Sequence, residues 1–189
     1  MLMQIGQKPE SDFSEPIGML EDCHKRILHF MGVLAGLAVS GGPGPLTQSE
    51  RDSLERALRY FREAAPRHNA DEEESLFPEL RRCADAHTGA ALDAGTALAQ
   101  MAALEADHRW VETQHAEIDA IGSGWLYNGT IREEDRVRLR AVLDPLLRFY
   151  KHHIAIEEEE VFPAARKMLS EANLQKVGQG MAARSGLAK

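Results

Sequence analysis

His68-Asn-Ala-Asp-Glu72-Glu73-Glu74-Ser-Leu-Phe-Pro78 recurs further along the chain as His153-Ile-Ala-Ile-Glu157-Glu158-Glu159-Glu160-Val-Phe-Pro163. Both stretches read HxxxEExx(L/V)FP. Each lies in a long segment with the apolar period of a helix, so the histidine and the glutamate one turn later share a face. The repeat reaches upstream as well: Leu20-Glu-Asp-Cys-His24 matches Leu104-Glu-Ala-Asp-His108. The chain therefore reads as two similar helical hairpins. Packed together they would be related by an approximate two-fold axis, and a site built by one would be mirrored by the other.

Four long segments carry the helical period, separated by residues that end helices. The first runs from about Pro16 to Val39 and stops at Ser40-Gly-Gly-Pro-Gly-Pro45. The second starts near Thr47, where Thr47 and Glu50 have capping-box spacing, and runs to about Ala84, with Pro66 and Pro78 expected to kink it. The third covers about Ala90 to Ile121 and is expected to stop at Gly122-Ser-Gly124. The fourth runs from near Ile131 to about Leu169. No segment alternates as a strand. The fold expected is all-α: an up-down-up-down four-helix bundle over residues 16–169, preceded by an N-terminal extension (1–15) and followed by a short C-terminal helical tail (170–189).

The inward stripes hold ionisable groups. Ile17, Leu20, His24, Ile27, Met31 and Leu34 share one stripe, and Phe61, Ala65, His68, Glu72 and Leu76 another. Met101, Leu104, His108, Val111, His115 and Ile118 form the third, and Leu146, Tyr150, His153, Glu157, Val161, Ala164 and Met168 the fourth. Burying so many titratable groups costs several kcal/mol for each uncompensated charge, which a metal ion would offset. Imidazole and carboxylate ligands suit iron, manganese or zinc, and six ligands from four helices suit a dinuclear centre better than one tetrahedral zinc.

These residues resemble the hemerythrin, or HHE cation-binding, family, whose pattern is H…HxxxE…H…HxxxE. The resemblance spans roughly Pro16 to Leu169. It implies that His24 and His68 bind one iron and His108 and His153 the other, with Glu72 and Glu157 bridging. An oxo or hydroxo bridge would complete a di-iron centre with an open position for dioxygen, peroxide or nitric oxide. Oxygen-carrying members have a fifth histidine one turn from the third-helix ligand and an aspartate at i+5 in the fourth helix. Here Glu112 and Glu157 stand at i+4 from His108 and His153, so the chain is more similar to the four-histidine bacterial branch than to an oxygen carrier. A protein that stores iron, or that signals metal to a protein partner, is the alternative from a different class.

Other candidates sit near this set. His115 lies on the inward stripe but about 10 Å along the axis from His108, which points to a supporting or core role. Tyr150 either hydrogen-bonds toward the site or packs. Glu21 and Glu105 precede His24 and His108 by one turn, echoing the ExxH of ferritin-like sites. Glu73 and Glu158 are rotated about 100° from the stripe and are expected to face solvent, with support of the metal-binding histidines as the lesser alternative; His29 and His87 are expected to face solvent.

Composition narrows the function classes. With 189 residues and a net charge of -8, the chain has no basic stripe for nucleic acid. Met1 to Pro9 carry no signal-peptide pattern, and the longest near-apolar run, Phe30 to Val39, is too short for a membrane span. Cys23 and Cys83 stand far apart, which fits a reducing cytoplasm.

Overall fold

The structure, a computed structural model, describes residues 10–40, 44–86 and 91–186. The Met1–Pro9 leader reading, His87 and residues 41–43 of the first break lie outside the described residues. The described residues form helices joined by short non-helical connections, with no strand. Helix α1 spans Pro16–Ser40; α2 spans Gln48–Asp71 and passes through a π-helical turn, Glu72–Leu76, into α3, Phe77–Ala86. Helix α4 spans Ala91–Asn128. Helix α5 spans Glu133–Ile156 and passes through a second π turn, Glu157–Val161, into α6, Phe162–Met168; α7 spans Glu171–Arg184. None of these helices is long and apolar enough to cross a membrane.

The start of α2 has a local cause. Thr47 accepts from the Glu50 amide, and the Glu50 carboxylate accepts in return from the Thr47 amide at 2.8 Å, closing the expected capping box. Each π turn precedes a proline. Pro78 and Pro163 have no N–H to give to the fourth carbonyl back, and the residue before each bonds one step further instead: Phe77 N–H to Glu72 O, Phe162 N–H to Glu157 O. The kink expected at Pro78 takes the form of a wider turn placed on a repeated glutamate. Pro66 sits inside continuous helix.

The expected stop at Gly122-Ser-Gly124 is overturned. Helix α4 continues to Asn128 and ends at Gly129, which has φ of 73° and gives its N–H to Trp125 O at 2.9 Å, in the manner of a C-terminal glycine cap. One helical glycine costs about 1 kcal/mol, and here burial of Ile118 and Trp125 on one stripe outweighs it. Gly122 also has a steric role, since a Cβ there would meet both Leu58 methyls at 2.8 Å.

Helix α1 packs on α2 and α5, and α4 packs on the same two, so the four long helices form a ring. The inward stripes are buried as expected, Met168 only in part. One apolar cluster includes Ile27, Met31, Leu54, Phe61, Val111, Ile118, Leu146 and Tyr150; the other includes Ile17, Leu20, Leu76, Phe77, Met101, Leu104, Val161 and Phe162. The buried histidines and glutamates belong to neither. Helix α7 closes the second cluster through Val177 and Met181 and is tied to the first π turn by Arg184, which bonds Asp71 at 2.8 Å, Glu74 and Ser75. Glu79 receives Arg82 along with Lys176 and Asn173 of α7, which hold its carboxyl down to about 2.

The continuous α4 makes opposite predictions for two neighbouring glycines. Gly124→Ala, which meets nothing within 4 Å, should stabilise by up to about 1 kcal/mol. Gly122→Ala should destabilise by about 1–2 kcal/mol through overpacking against Leu58. Thermal unfolding of the two variants checks the sign of each; stabilisation by both would argue against the close approach of α2.

Candidate metal centre

Four histidines and two glutamates from α1, α2 with its π turn, α4, and α5 with its π turn converge where the two apolar clusters meet. His24, His68, Glu72 and Glu157 bring ligand atoms within 4.8 Å of one another, and so do His108, His153 and Glu157. Glu72 directs Oε1 toward His24 and His68, at 3.9 and 3.6 Å from their Nε2 atoms, and Oε2 toward His108 Nε2 at 3.4 Å. Glu157 directs Oε2 toward His24 Nε2 and Oε1 toward His153 Nε2, each at 3.1 Å. Each carboxylate thus offers one oxygen to each histidine pair. The Nε2 atoms of His108 and His153 lie 3.2 Å apart.

Short as these approaches are, they leave hydrogen-bonding capacity unused. Both oxygens of Glu72, both of Glu157 and Nε2 of His24 are buried without a hydrogen-bond partner. Buried polar atoms are satisfied in the great majority of cases, and acceptors and imidazole nitrogens aimed at one another around a common point are what a cation satisfies. The donor set therefore fits a metal.

The electrostatics describe the same strain. Burial, then repulsion from Glu157, pushes the Glu72 carboxyl well above its ordinary range. Burial opposes ionisation of Glu157 too, yet the imidazoles of His153 and His24 outweigh it and hold that carboxyl below the ordinary range. Burial, with His24 next, pushes His68 well below the usual histidine range, and burial with His153 lowers His108. His153 is raised, because Glu157 and Asp107 overcome its burial. One carboxylate carries the charge while the other resists it.

Around this layer lies a set of carboxylates that the stripe geometry missed. Glu158 Oε1 is 2.9 Å from His24 Nδ1, Glu73 Oε1 is 2.7 Å from His108 Nδ1, and Asp107 Oδ2 is 3.1 Å from His153 Nδ1. The favoured expectation that Glu73 and Glu158 face solvent is corrected and the alternative, support of the histidines, is what the structure shows: each π turn lets two successive glutamates address neighbouring helices. Glu72 and Glu73 reach His108 from both of its nitrogens. The signal was present in the doubled glutamate of both repeats.

Glu21 and Glu105 are not among the converging groups. Arg166 and Arg81 hold them, each at 2.7 Å, in a matching pair of ion pairs. His115 is buried beside the site, 2.9 Å from the Tyr150 hydroxyl. Burial lowers it to about 4, so at neutral pH it is uncharged, and its Nε2 shares a hydrogen bond with the Tyr150 hydroxyl. Its ring also lines a cleft of about 200 Å³ between α2 and α4, with Leu58, Phe61, Pro66 and Ile118 as apolar walls and Arg62, Glu112 and Asp119 as charged ones.

A lowered histidine binds fewer protons folded than unfolded. Its contribution is therefore complete above the unfolded value of 6.5 and is lost as pH falls toward 4. At 1.36 kcal/mol per pH unit this amounts to about 3 kcal/mol. His115→Gln, which keeps an acceptor for Tyr150 and cannot charge, should reduce the acid sensitivity of the metal-free protein between pH 6.5 and 4 in urea titrations; an unchanged pH slope would contradict a neutral His115.

Comparison with known proteins agrees with this geometry. The family described as the hemerythrin HHE cation binding domain matches residues 15–165. An uncharacterized protein of Haemophilus influenzae is 30% identical over 183 residues, covering 96% of this chain and 97% of its own length. With its repeated HxxxE elements meeting in one buried layer, the chain belongs to the hemerythrin HHE cation-binding family.

Proposed function

We propose that this protein holds two iron ions, one by His24 and His68 and the other by His108 and His153, with Glu72 and Glu157 shared between them, and that it binds or reacts with a small ligand such as dioxygen, peroxide or nitric oxide. The observation that carries the reading is the split of both glutamates, one oxygen toward each histidine pair. A single cation would leave one pair and two carboxylate oxygens unused. The up-down-up-down order belongs to this reading too. Ile27 and Val111, which follow His24 and His108, share an apolar cluster with Phe61 and Tyr150, which precede His68 and His153.

Paired iron ions supply Lewis acidity and electrons for binding or transforming a small ligand. The chain's own residues set the conditions. Burial lowers His68 and His108 and favours their neutral, metal-binding form. Glu158, Glu73 and Asp107 accept from Nδ1 of His24, His108 and His153 and fix those three rings with Nε2 toward the centre. The apolar clusters keep bulk water from the layer, and the cleft lined by His115, itself bonded to Tyr150, gives a small molecule an approach from the α2–α4 side.

Elemental analysis of protein purified in air should find two irons per chain, with near-ultraviolet oxo-to-iron absorption that changes on adding azide; a colourless protein that takes up zinc equally well would favour a structural role. Glu72→Ala and Glu157→Ala should lose most of the iron. Glu73→Gln should retain it with affinity weaker by about 10–100-fold, and equal loss from all three variants would contradict the bridging assignment.

A further inference from the structure

We infer that the two cation positions are unequal by construction: the position between His108 and His153 binds more tightly than that between His24 and His68, because Cys23 stands where the repeat carries Asp107. The inference rests on the two-cation reading above and adds an order of filling to it.

The repeat supplies the comparison. His24 matches His108, and their Nδ1 atoms face matching glutamates, Glu158 and Glu73, at 2.9 and 2.7 Å. His68 matches His153. The Nδ1 of His153 faces Asp107, whereas the Nδ1 of His68 is buried with no hydrogen-bond partner. Asp107 immediately precedes His108, and the residue that immediately precedes His24 is Cys23. Its thiol is engaged elsewhere, receiving an Arg26 N–H at 3.1 Å, and Arg26 is drawn outward by Glu10 at 3.0 Å. In the other hairpin the position of Arg26 is Trp110, which packs on Phe149 and leaves Asp107 free to face His153. Three of the four imidazoles are therefore oriented by a carboxylate at Nδ1. His68 is not. An acceptor behind a metal-binding histidine is worth about 10–100-fold in metal affinity, and the shared glutamates cannot cancel the difference, since each serves both positions.

Competition titrations of the full-length, metal-stripped protein with Co(II) against a chromophoric chelator test this. Repulsion between neighbouring cations separates the two binding constants even in a symmetric site, so the variants decide. Cys23→Asp should tighten the weaker step by about 10–100-fold, and Asp107→Ala should weaken the tighter step by a similar factor. Asp107 is about one-third exposed, so Asp107→Ala should fold, and it keeps the test decisive even where the carboxylate introduced by Cys23→Asp pairs with Arg26 instead. If Asp107→Ala leaves the tighter step unchanged, or weakens only the other step, the inference is overturned while the two-cation reading stands. Saturation below two ions per chain in the unmodified protein would instead remove that reading itself.

Discussion

Two glutamates with no exposed surface, surrounded by four imidazoles in an apolar interior, are the constraint on which the rest of this protein depends. Two carboxylates this close do not both stay charged without a counter-charge: the imidazoles of His153 and His24 relieve Glu157, and Glu72 is left unrelieved. Everything nearby accommodates that tension. The π turns place the glutamates, outer carboxylates hold the rings, and apolar clusters on either side keep the layer dry. Stability and cation binding are thus coupled in one layer of side chains, so that a cation bound there contributes to the folding free energy.

The two-fold relation of the hairpins explains why the arrangement is economical. One helical element, used twice, supplies a histidine and a glutamate one turn apart, and the upstream helix of each hairpin supplies the remaining histidine. Supporting contacts repeat as well, as the matching pairs Arg166–Glu21 and Arg81–Glu105 show. Departures from symmetry then become informative. Arg184 ties α7 to the first π turn alone, and Cys23 replaces an aspartate in the first hairpin alone. Both fall on the half of the centre that includes His68 and Glu72.

Much of this was legible in the residues themselves. The 3.6-residue period identified the buried stripes, and the doubled HxxxE element selected His24, His68, Glu72, His108, His153 and Glu157, which the structure brings together. What escaped had specific physical causes. Ideal helical rotation put Glu73 and Glu158 toward solvent, because it has no provision for an i→i+5 turn, although Pro78 and Pro163 mark where the regular ladder must fail. Gly122 and Gly124 read as a stop because local propensity does not register the burial of Trp125 further on. Asp107 was passed over as the residue beside a candidate ligand, when the gap between helices was its place.

The central claim is that the buried layer encloses two cations, one beside each histidine pair. Diffraction from iron-loaded crystals, recorded on either side of the iron absorption edge, tests it most directly. The account predicts two anomalous peaks per chain, one next to His24 and His68 and one next to His108 and His153, with Glu72 and Glu157 between them. A single peak, or peaks confined to the surface acidic runs, would contradict it.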